Sequence, residues 1–217
     1  MFIGHYGVSF AAKALDKRIP LWVLFIAAQL VDIFWTVLVL LRIERVEIKP
    51  GITVASPLDF VFYPYTHSLI ASLVWGALAM IAYRMIRPSA DAWRAGLIVG
   101  AVVVSHWVLD LLVHRPDLPL YDDALKVGLG LWNYPLIESP LEVILLLGGI
   151  FVYFRATKPV TQGGKYAMVV FGIIVGALFV SSGLGPPPPD ASSIAVVGLV
   201  LYSMLTGVVF WLEIKRQ

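Results

Sequence analysis

Residues 95–113 have the sequence AGLIVGAVVVSHWVLDLLV, an apolar run that contains two ionisable side chains, His106 and Asp110. An α-helix rises about 1.5 Å per residue, so about 20 residues are needed to cross the hydrocarbon core of a bilayer. The run is therefore long enough to span a membrane. Because a charged side chain at the centre of a span costs at least about 2.5 kcal/mol, these two residues indicate an internal pair, a watery cavity or a metal site.

The composition of the whole chain is that of a membrane protein. Of its 217 residues, 59% are apolar and only 14% are charged, whereas soluble domains carry about 25% charged residues. The net charge of +2 is too small to indicate a nucleic-acid partner. The chain has no cysteine, which excludes disulfides and thiolate metal sites.

Five further apolar runs lie at residues 21–41, 68–83, 141–154, 166–184 and 194–212. Since each is long enough, or nearly so, to cross a bilayer, the sequence predicts six transmembrane helices. The predicted fold class is all-α, a polytopic membrane helix bundle that forms one domain over residues 1–217. Residues 1–155 carry the intramembrane polar groups, and residues 166–213 add two supporting helices.

The lysines and arginines are divided unequally between the two sides of this predicted bundle. Five of the 16 lie in the segments 42–65 and 115–139, and the other eleven lie on the opposite side. Because positive charge accumulates on the cytoplasmic side of a membrane, the C-terminus is predicted to be cytoplasmic. The two long segments are then predicted to face outward.

Residues 1–12 contain no Asp, Glu, Lys or Arg and precede a charged stretch that begins at Lys13. Periodicity alone favours an amphipathic helix on the membrane surface. Insertion as a short helix would instead place His5 about 18 Å from Lys17. Since that depth matches the depth of other polar groups, we predict a membrane-inserted N-terminal helix in addition to the six spans.

Several ligand-type side chains fall at similar depths in these segments. Counted from the cytoplasmic end of each segment, they lie about 18–26 Å into the membrane. These side chains are His5, Asp32, His67, His106, Asp110 and Glu142. The sequence therefore predicts one polar layer in the outer half of the bilayer, reached from five segments and from neither of the last two spans.

The spacing of these residues is compatible with a metal site. His106 and Asp110 are four residues apart and share a helix face, which His114 continues by one more turn. Imidazole and carboxylate ligands together suit zinc, and also manganese or iron. We predict a divalent metal, zinc first, as one or two ions.

Structural roles remain open for the same residues. His106 and Asp110 could form an ion pair or part of a proton relay, and Asp32 could make a polar contact with a neighbouring helix. At the start of the second span, Thr66 or Ser68 could act as an N-cap.

The glutamates and the loop aspartates have alternatives of their own. Glu138 and Glu142 could complement the positive N-terminus of the fourth span. Four loop residues are interpreted as solvated charges: Asp59, Asp117, Asp122 and Asp123. Two glycine pairs, Gly96/Gly100 and Gly172/Gly176, predict close helix packing.

Four short motifs along the first half of the chain resemble a known family. They are Gly4-His5-Tyr6-Gly7, the lone Asp32, Tyr65-Thr66-His67-Ser68, and Ser105-His106-Trp107-Val108-Leu109-Asp110. In order and spacing they resemble inner-membrane proteins described as predicted membrane-bound, metal-dependent hydrolases. The resemblance covers roughly residues 1–115, and Pro64-Tyr65 stands where that pattern has a basic residue and glycine. It implies a prokaryotic inner-membrane protein whose metal ligands are His5, Asp32, His67, His106 and Asp110.

The ligand set is also distantly similar to that of zinc-dependent phospholipase C, which uses His and Asp and a His-x-x-x-Asp helix pair. The two resemblances imply a hydrolase that acts on a lipid or lipid-linked ester. A phosphoester is favoured, with an amide or acyl ester as the alternative bond. Membrane lipids are the predicted substrate, His114 is a further predicted metal ligand, and Glu138 and Glu142 are the predicted catalytic residues, one of them as general base.

Two other classes of function compete with hydrolysis. Intramembrane His and Asp residues also serve proton relays and metal transit, so the chain could be a metal- or proton-coupled transporter. The sequence has no internal symmetry of the kind common in transporters. A non-catalytic scaffold would leave the shared depth of the polar residues unexplained.

Overall fold

The computed structural model describes residues 1–216, which fold mainly into α-helices. Within this range there are nine α-helices and one two-stranded sheet, in the order α1 (Ile3–Ala12), α2 (Leu21–Ala28), α3 (Leu30–Leu40), β1 (Arg45–Ile48), β2 (Leu58–Phe62), α4 (Pro64–His67), α5 (Leu69–Ile86), α6 (Ala92–Val113), α7 (Pro135–Ala156), α8 (Gln162–Leu184) and α9 (Ala191–Glu213). By length and composition, α5 to α9 could each cross a membrane, and α2 with α3 could form a sixth, bent span. The predicted all-α membrane bundle is confirmed.

Helix α7 begins six residues before the predicted start of the fourth span. Pro135 occupies the first helical turn, where its missing N–H leaves no partner unsatisfied and its fixed φ suits a helix. The predicted start at residue 141 was therefore wrong. Both Glu138 and Glu142 lie inside α7, one turn apart.

Helix α1 lies inside the bundle, packed against α2, α6 and α7. Ile3, Tyr6 and Phe10 are fully buried, and the Ser9 hydroxyl donates to the carbonyl of Leu24 on α2 at 2.9 Å. The alternative of an amphipathic surface helix is wrong, because α1 has no face open to solvent or lipid over most of its length. At 10 residues, α1 rises about 15 Å and enters the bundle without crossing it.

Close backbone contact between α5 and α6 confirms the packing prediction for Gly96 and Gly100. A Cβ atom on Gly100 would lie 2.7 Å from the carbonyl oxygen of Gly76, and one on Gly96 would lie 2.8 Å from that of Met80. On α8 the prediction holds only in part, since Gly172 would meet the Ile150 side chain while Gly176 has nothing within 4 Å.

The first predicted span is broken at Gln29, where α2 and α3 meet at an angle of 51°. Neither proline nor glycine is present at the break. Instead, the carbonyl oxygen of Ala28 accepts a hydrogen bond from Nδ1 of His106 at 2.7 Å. In a continuous helix that oxygen would accept from the N–H of Asp32, so a side chain from α6 takes the place of a helical hydrogen bond.

A short antiparallel hairpin of β1 and β2 lies in the segment predicted as a long loop, residues 42–65. Phe60 of β2 packs against Trp35 of α3, with ring centroids 5.6 Å apart, and against the ring of His114 at 4.8 Å. The hairpin therefore covers one side of the polar cluster described next.

Candidate metal centre

Four helices, together with the residue directly after α6, bring the predicted ligands close to one another. The residues are His5 on α1, Asp32 on α3, His67 at the end of α4, His106 and Asp110 on α6, and His114 just beyond α6. Ligand atoms of His5, His106 and Asp110 all lie within 4.8 Å of one another, and so do those of Asp32, His67 and His106. His106 thus belongs to both groups.

The nitrogen–oxygen distances within this cluster are close to the separation of neighbouring ligands on one metal ion. Nε2 of His106 is 3.1 Å from Asp110 and 3.6 Å from Asp32. Nε2 of His67 is 3.2 Å from Asp32, and Nε2 of His5 is 3.3 Å from Asp110. Two ligands at about 2.0–2.2 Å from a tetrahedral zinc ion stand about 3.3–3.6 Å apart, so the spacing suits such an ion.

The hydrogen bond at the α2–α3 break determines which nitrogen of His106 carries a proton. A backbone carbonyl can only accept, so Nδ1 of His106 must donate to Ala28. In the neutral ring, Nε2 then carries a lone pair, and that lone pair faces the carboxylates of Asp32 and Asp110.

His67 and His114 are held in the same tautomer by other partners. The Thr66 hydroxyl donates to Glu44 at 2.7 Å and therefore accepts from Nδ1 of His67 at 2.8 Å. Nδ1 of His114 lies 3.0 Å from Asp117, whose carboxylate accepts. Each of these rings thus has its Nε2 atom facing the cluster.

Unprotonated nitrogens that face carboxylates at 3.1–3.9 Å need a positive charge between them. The Met1 amino group, 2.7 Å from Asp110, supplies one such charge. A metal ion or protonation of a ring can supply the remainder, whereas protonating more rings than the aspartates balance would leave buried cations unpaired, which is costly. A metal shared between the groups suits the geometry, and the outer partners that fix each ring are those typical of metal-bound histidines.

The ring of His5 lies flat against that of His106, with centroids 3.8 Å apart and planes inclined by 4°. Neither nitrogen of His5 has a hydrogen-bond partner within the described residues. The amino group of Met1 lies 2.7 Å from Asp110 on the same side. The inserted α1 therefore delivers an imidazole to the cluster with its nitrogens uncommitted.

The two glutamates of α7 are buried but make other contacts. Glu142 accepts hydrogen bonds from the backbone N–H of Phe2 at 2.8 Å and of Gly4 at 2.8 Å. Glu142 thus complements the N-terminus of α1. The alternative considered from the sequence was that it complements the N-terminus of its own helix, α7. Glu138 accepts from the hydroxyl of Ser139 at 3.0 Å. Of the two predicted catalytic residues, Glu138 has the carboxylate less committed to the backbone.

No family model, curated protein or solved structure matches this chain. What the chain does must therefore be argued from its own geometry.

Three contacts of the cluster were missed by the sequence reasoning. The hydroxyl of Tyr202 on α9 donates to Asp32 at 3.2 Å, so the last span does reach the polar layer and the prediction that it does not was wrong. Asp117, interpreted as a solvated loop charge, is buried and bonded to His114. Glu44 was not singled out at all. Its burial raises the pKa of its carboxyl, while the hydrogen bonds from Thr66 and Tyr65 act in the opposite direction.

Two surface depressions include residues that adjoin the cluster. One, of about 430 Å³, is charged and is lined by Glu47, Lys49, Asp59, Arg115, Asp117 and Lys126. The other, of about 350 Å³, is mainly apolar and runs along the start of α5, lined by Pro64, Tyr65, Ser68, Val74, Trp75 and Leu78. The first reaches His114 through Asp117, and the second includes Ser68, the neighbour of His67.

Proposed function

We propose that the chain is a membrane-embedded, metal-dependent hydrolase that acts on a lipid or lipid-linked ester, with a phosphoester favoured over an amide or acyl ester. The observation that carries the proposal is the orientation of three histidines. His67, His106 and His114 each donate through Nδ1 and direct Nε2 at carboxylates within 3.1–3.7 Å. The motifs that resemble metal-dependent hydrolases contain these same residues, apart from His114.

In this proposal the chain's own residues have separate tasks. The imidazoles of His5, His67 and His106 and the carboxylates of Asp32 and Asp110 would hold the metal, zinc first. His114 would be a further ligand. A bound divalent metal lowers the pKa of a bound water toward about 7 and polarises the bond to be cut. Glu138 would be the general base, since its carboxylate accepts a hydrogen bond only from Ser139 within the described residues.

The two depressions beside the cluster support the choice of a lipid substrate. An amphiphile needs an apolar surface for its chains and a polar surface for its headgroup. The apolar depression along α5 suits an acyl chain. The depression with Arg115, Lys49 and Lys126, each paired with a neighbouring carboxylate, offers a polar surface for a headgroup.

Metal analysis of the purified protein tests this proposal. We expect about one or two zinc ions per wild-type chain and at least a several-fold loss in His106→Ala, because His106 belongs to both ligand groups. Ser105→Ala is the matched control, since its hydroxyl donates only to the carbonyl of Val102 and its removal should leave the metal content unchanged. Metal well below one ion per chain, equal in the wild type and His106→Ala, would contradict the metal site.

A substrate assay separates hydrolysis from binding. Zinc-loaded protein in vesicles of mixed phospholipids is expected to release phosphorylated headgroups, and His106→Ala is expected to release none. Release of fatty acids instead would assign the acyl ester as the bond that is cut.

A metal- or proton-coupled carrier is the second candidate, and the break between α2 and α3 favours it. Transporters often place their ion sites at discontinuous spans, and Asp32 lies three residues after the break at Gln29. Zinc flux into vesicles that contain the wild-type protein, with no lipid product, would support the carrier and overturn the hydrolase.

The proposed location is a prokaryotic inner membrane, with the C-terminus in the cytoplasm. Because the chain has no cysteine, single-cysteine variants can report its orientation. We expect Asp122→Cys to react with a membrane-impermeant maleimide in intact spheroplasts and Arg87→Cys to react only after permeabilisation. The reverse pattern would place the N-terminal end of α7 in the cytoplasm.

A further inference from the structure

Thr66 has a role that differs from the helix cap considered in the sequence. The cap of α5 is Ser68, whose hydroxyl accepts from the N–H of Ala71 at 3.1 Å. The hydroxyl of Thr66 instead lies between two side chains, 2.7 Å from Glu44 and 2.8 Å from Nδ1 of His67. Thr66 is fully buried, so water does not compete for either bond.

Glu44 anchors this series of bonds. One of its oxygens accepts from the N–H of Tyr65 at 2.8 Å and of Thr66 at 3.1 Å, and the other accepts from the Thr66 hydroxyl. Glu44 as a whole is only 1% exposed. Within residues 1–216, no lysine or arginine nitrogen lies within ion-pair distance of it.

A buried carboxylate with only neutral donors is costly to a fold. An uncharged acceptor could satisfy the two backbone N–H groups at lower cost, so packing alone does not account for a glutamate at this position. What a carboxylate adds is a strong acceptor for the Thr66 hydroxyl. That bond orients the hydroxyl oxygen toward His67 and makes the ring a better electron donor.

We infer that Glu44 and Thr66 are positioning residues for the metal centre, acting on His67 through the series Glu44–Thr66–His67. The inference rests on the proposed function, because it assigns these two residues to the ligand His67. They fix the ring's tautomer and its orientation toward Asp32, and they do not touch the metal or the substrate. Mutation of a residue in this outer position commonly lowers metal affinity about 10- to 100-fold.

Zinc affinity measured by competition with a chelator tests the inference on purified full-length protein. Thr66→Val keeps the shape of the side chain but removes the hydroxyl, and we expect its zinc affinity to fall about 10- to 100-fold. Thr66→Ser keeps the hydroxyl and should bind zinc as the wild type does. Glu44→Gln offers one acceptor oxygen where the carboxylate uses two, so it should lose affinity as Thr66→Val does.

Ser68→Ala is the matched control for a merely structural effect. It removes the cap of α5 one residue beyond His67, so it should lower the melting temperature of the metal-free protein and leave zinc affinity unchanged. The inference is overturned if Thr66→Val and Glu44→Gln bind zinc as the wild type does, or if Thr66→Ser loses as much affinity as Thr66→Val. A wild-type protein that binds no zinc would overturn the proposed function itself, and the inference with it.

Discussion

Asp110→Asn is expected to abolish the zinc binding that we propose for this protein. One carboxylate oxygen of Asp110 faces His5 at 3.3 Å, and the other faces His106 at 3.1 Å and His114 at 3.7 Å. An amide has nearly the same shape but lacks the negative charge that a divalent ion needs. We therefore expect zinc affinity to fall by at least about 100-fold, beyond the usual effect of an outer-shell partner.

The melting temperature gives an independent measure of the same loss. A ligand present at 1,000 times its dissociation constant stabilises the folded state by about 4 kcal/mol. A chelator should therefore lower the melting temperature of the wild type and leave that of Asp110→Asn unchanged. Asp122→Asn alters a carboxylate outside the cluster and should keep the chelator response. An Asp110→Asn protein that retains zinc would remove Asp110 from the ligand set.

Gly149→Ala is expected to displace α1 from the bundle. The backbones of α1 and α7 cross so closely that a Cβ on Gly149 would overlap the carbonyl oxygen of Gly7. Backbone cannot rotate aside as a side chain can, so α1 must move. Overpacking in a core costs about 1–3 kcal/mol, occasionally more. Because α1 carries His5, zinc affinity should fall together with the melting temperature.

Gly148→Ala is the matched control on the same helix. A Cβ at Gly148 meets nothing within 4 Å, and replacing glycine by alanine in a helix is favourable by about 1 kcal/mol. This variant should melt at or slightly above the wild-type temperature and bind zinc normally. Equal melting temperatures for the two variants would contradict the close crossing of α1 and α7.

Much of the fold was predictable because it depends on local composition. The apolar runs located the spans, and the depth count predicted an inserted N-terminal helix, which is buried within the bundle. The same count selected His5, Asp32 and His106, which the fold brings together. Rise per residue is fixed by helix geometry, so depth can be estimated without knowing which helices are neighbours.

The remaining features depend on contacts between distant parts of the chain. No proline or glycine at Gln29 predicts the break. The break coincides instead with a hydrogen bond from His106, which is 78 residues from Ala28 along the chain. Glu44 belongs to a segment that was predicted as a loop, and its partner Thr66 lies 22 residues away, beyond an unpredicted hairpin. The sequence shows Tyr202 only as one aromatic residue in an apolar run. Its contact with Asp32 depends on the packing of α9 against α3.

The break between α2 and α3 also bears on how genetic variation in this chain should be interpreted. The break acts on the cluster through the backbone carbonyl oxygen of Ala28. The side chain at residue 28 therefore gives no sign of this contact. A substitution near Gln29 that let the two helices join as one rod would return that oxygen to the helix and free the ring of His106 to turn. A screen for variants that fail to bind zinc would then recover changes at residues 26–30 in proteins that keep every proposed ligand and insert normally into the membrane.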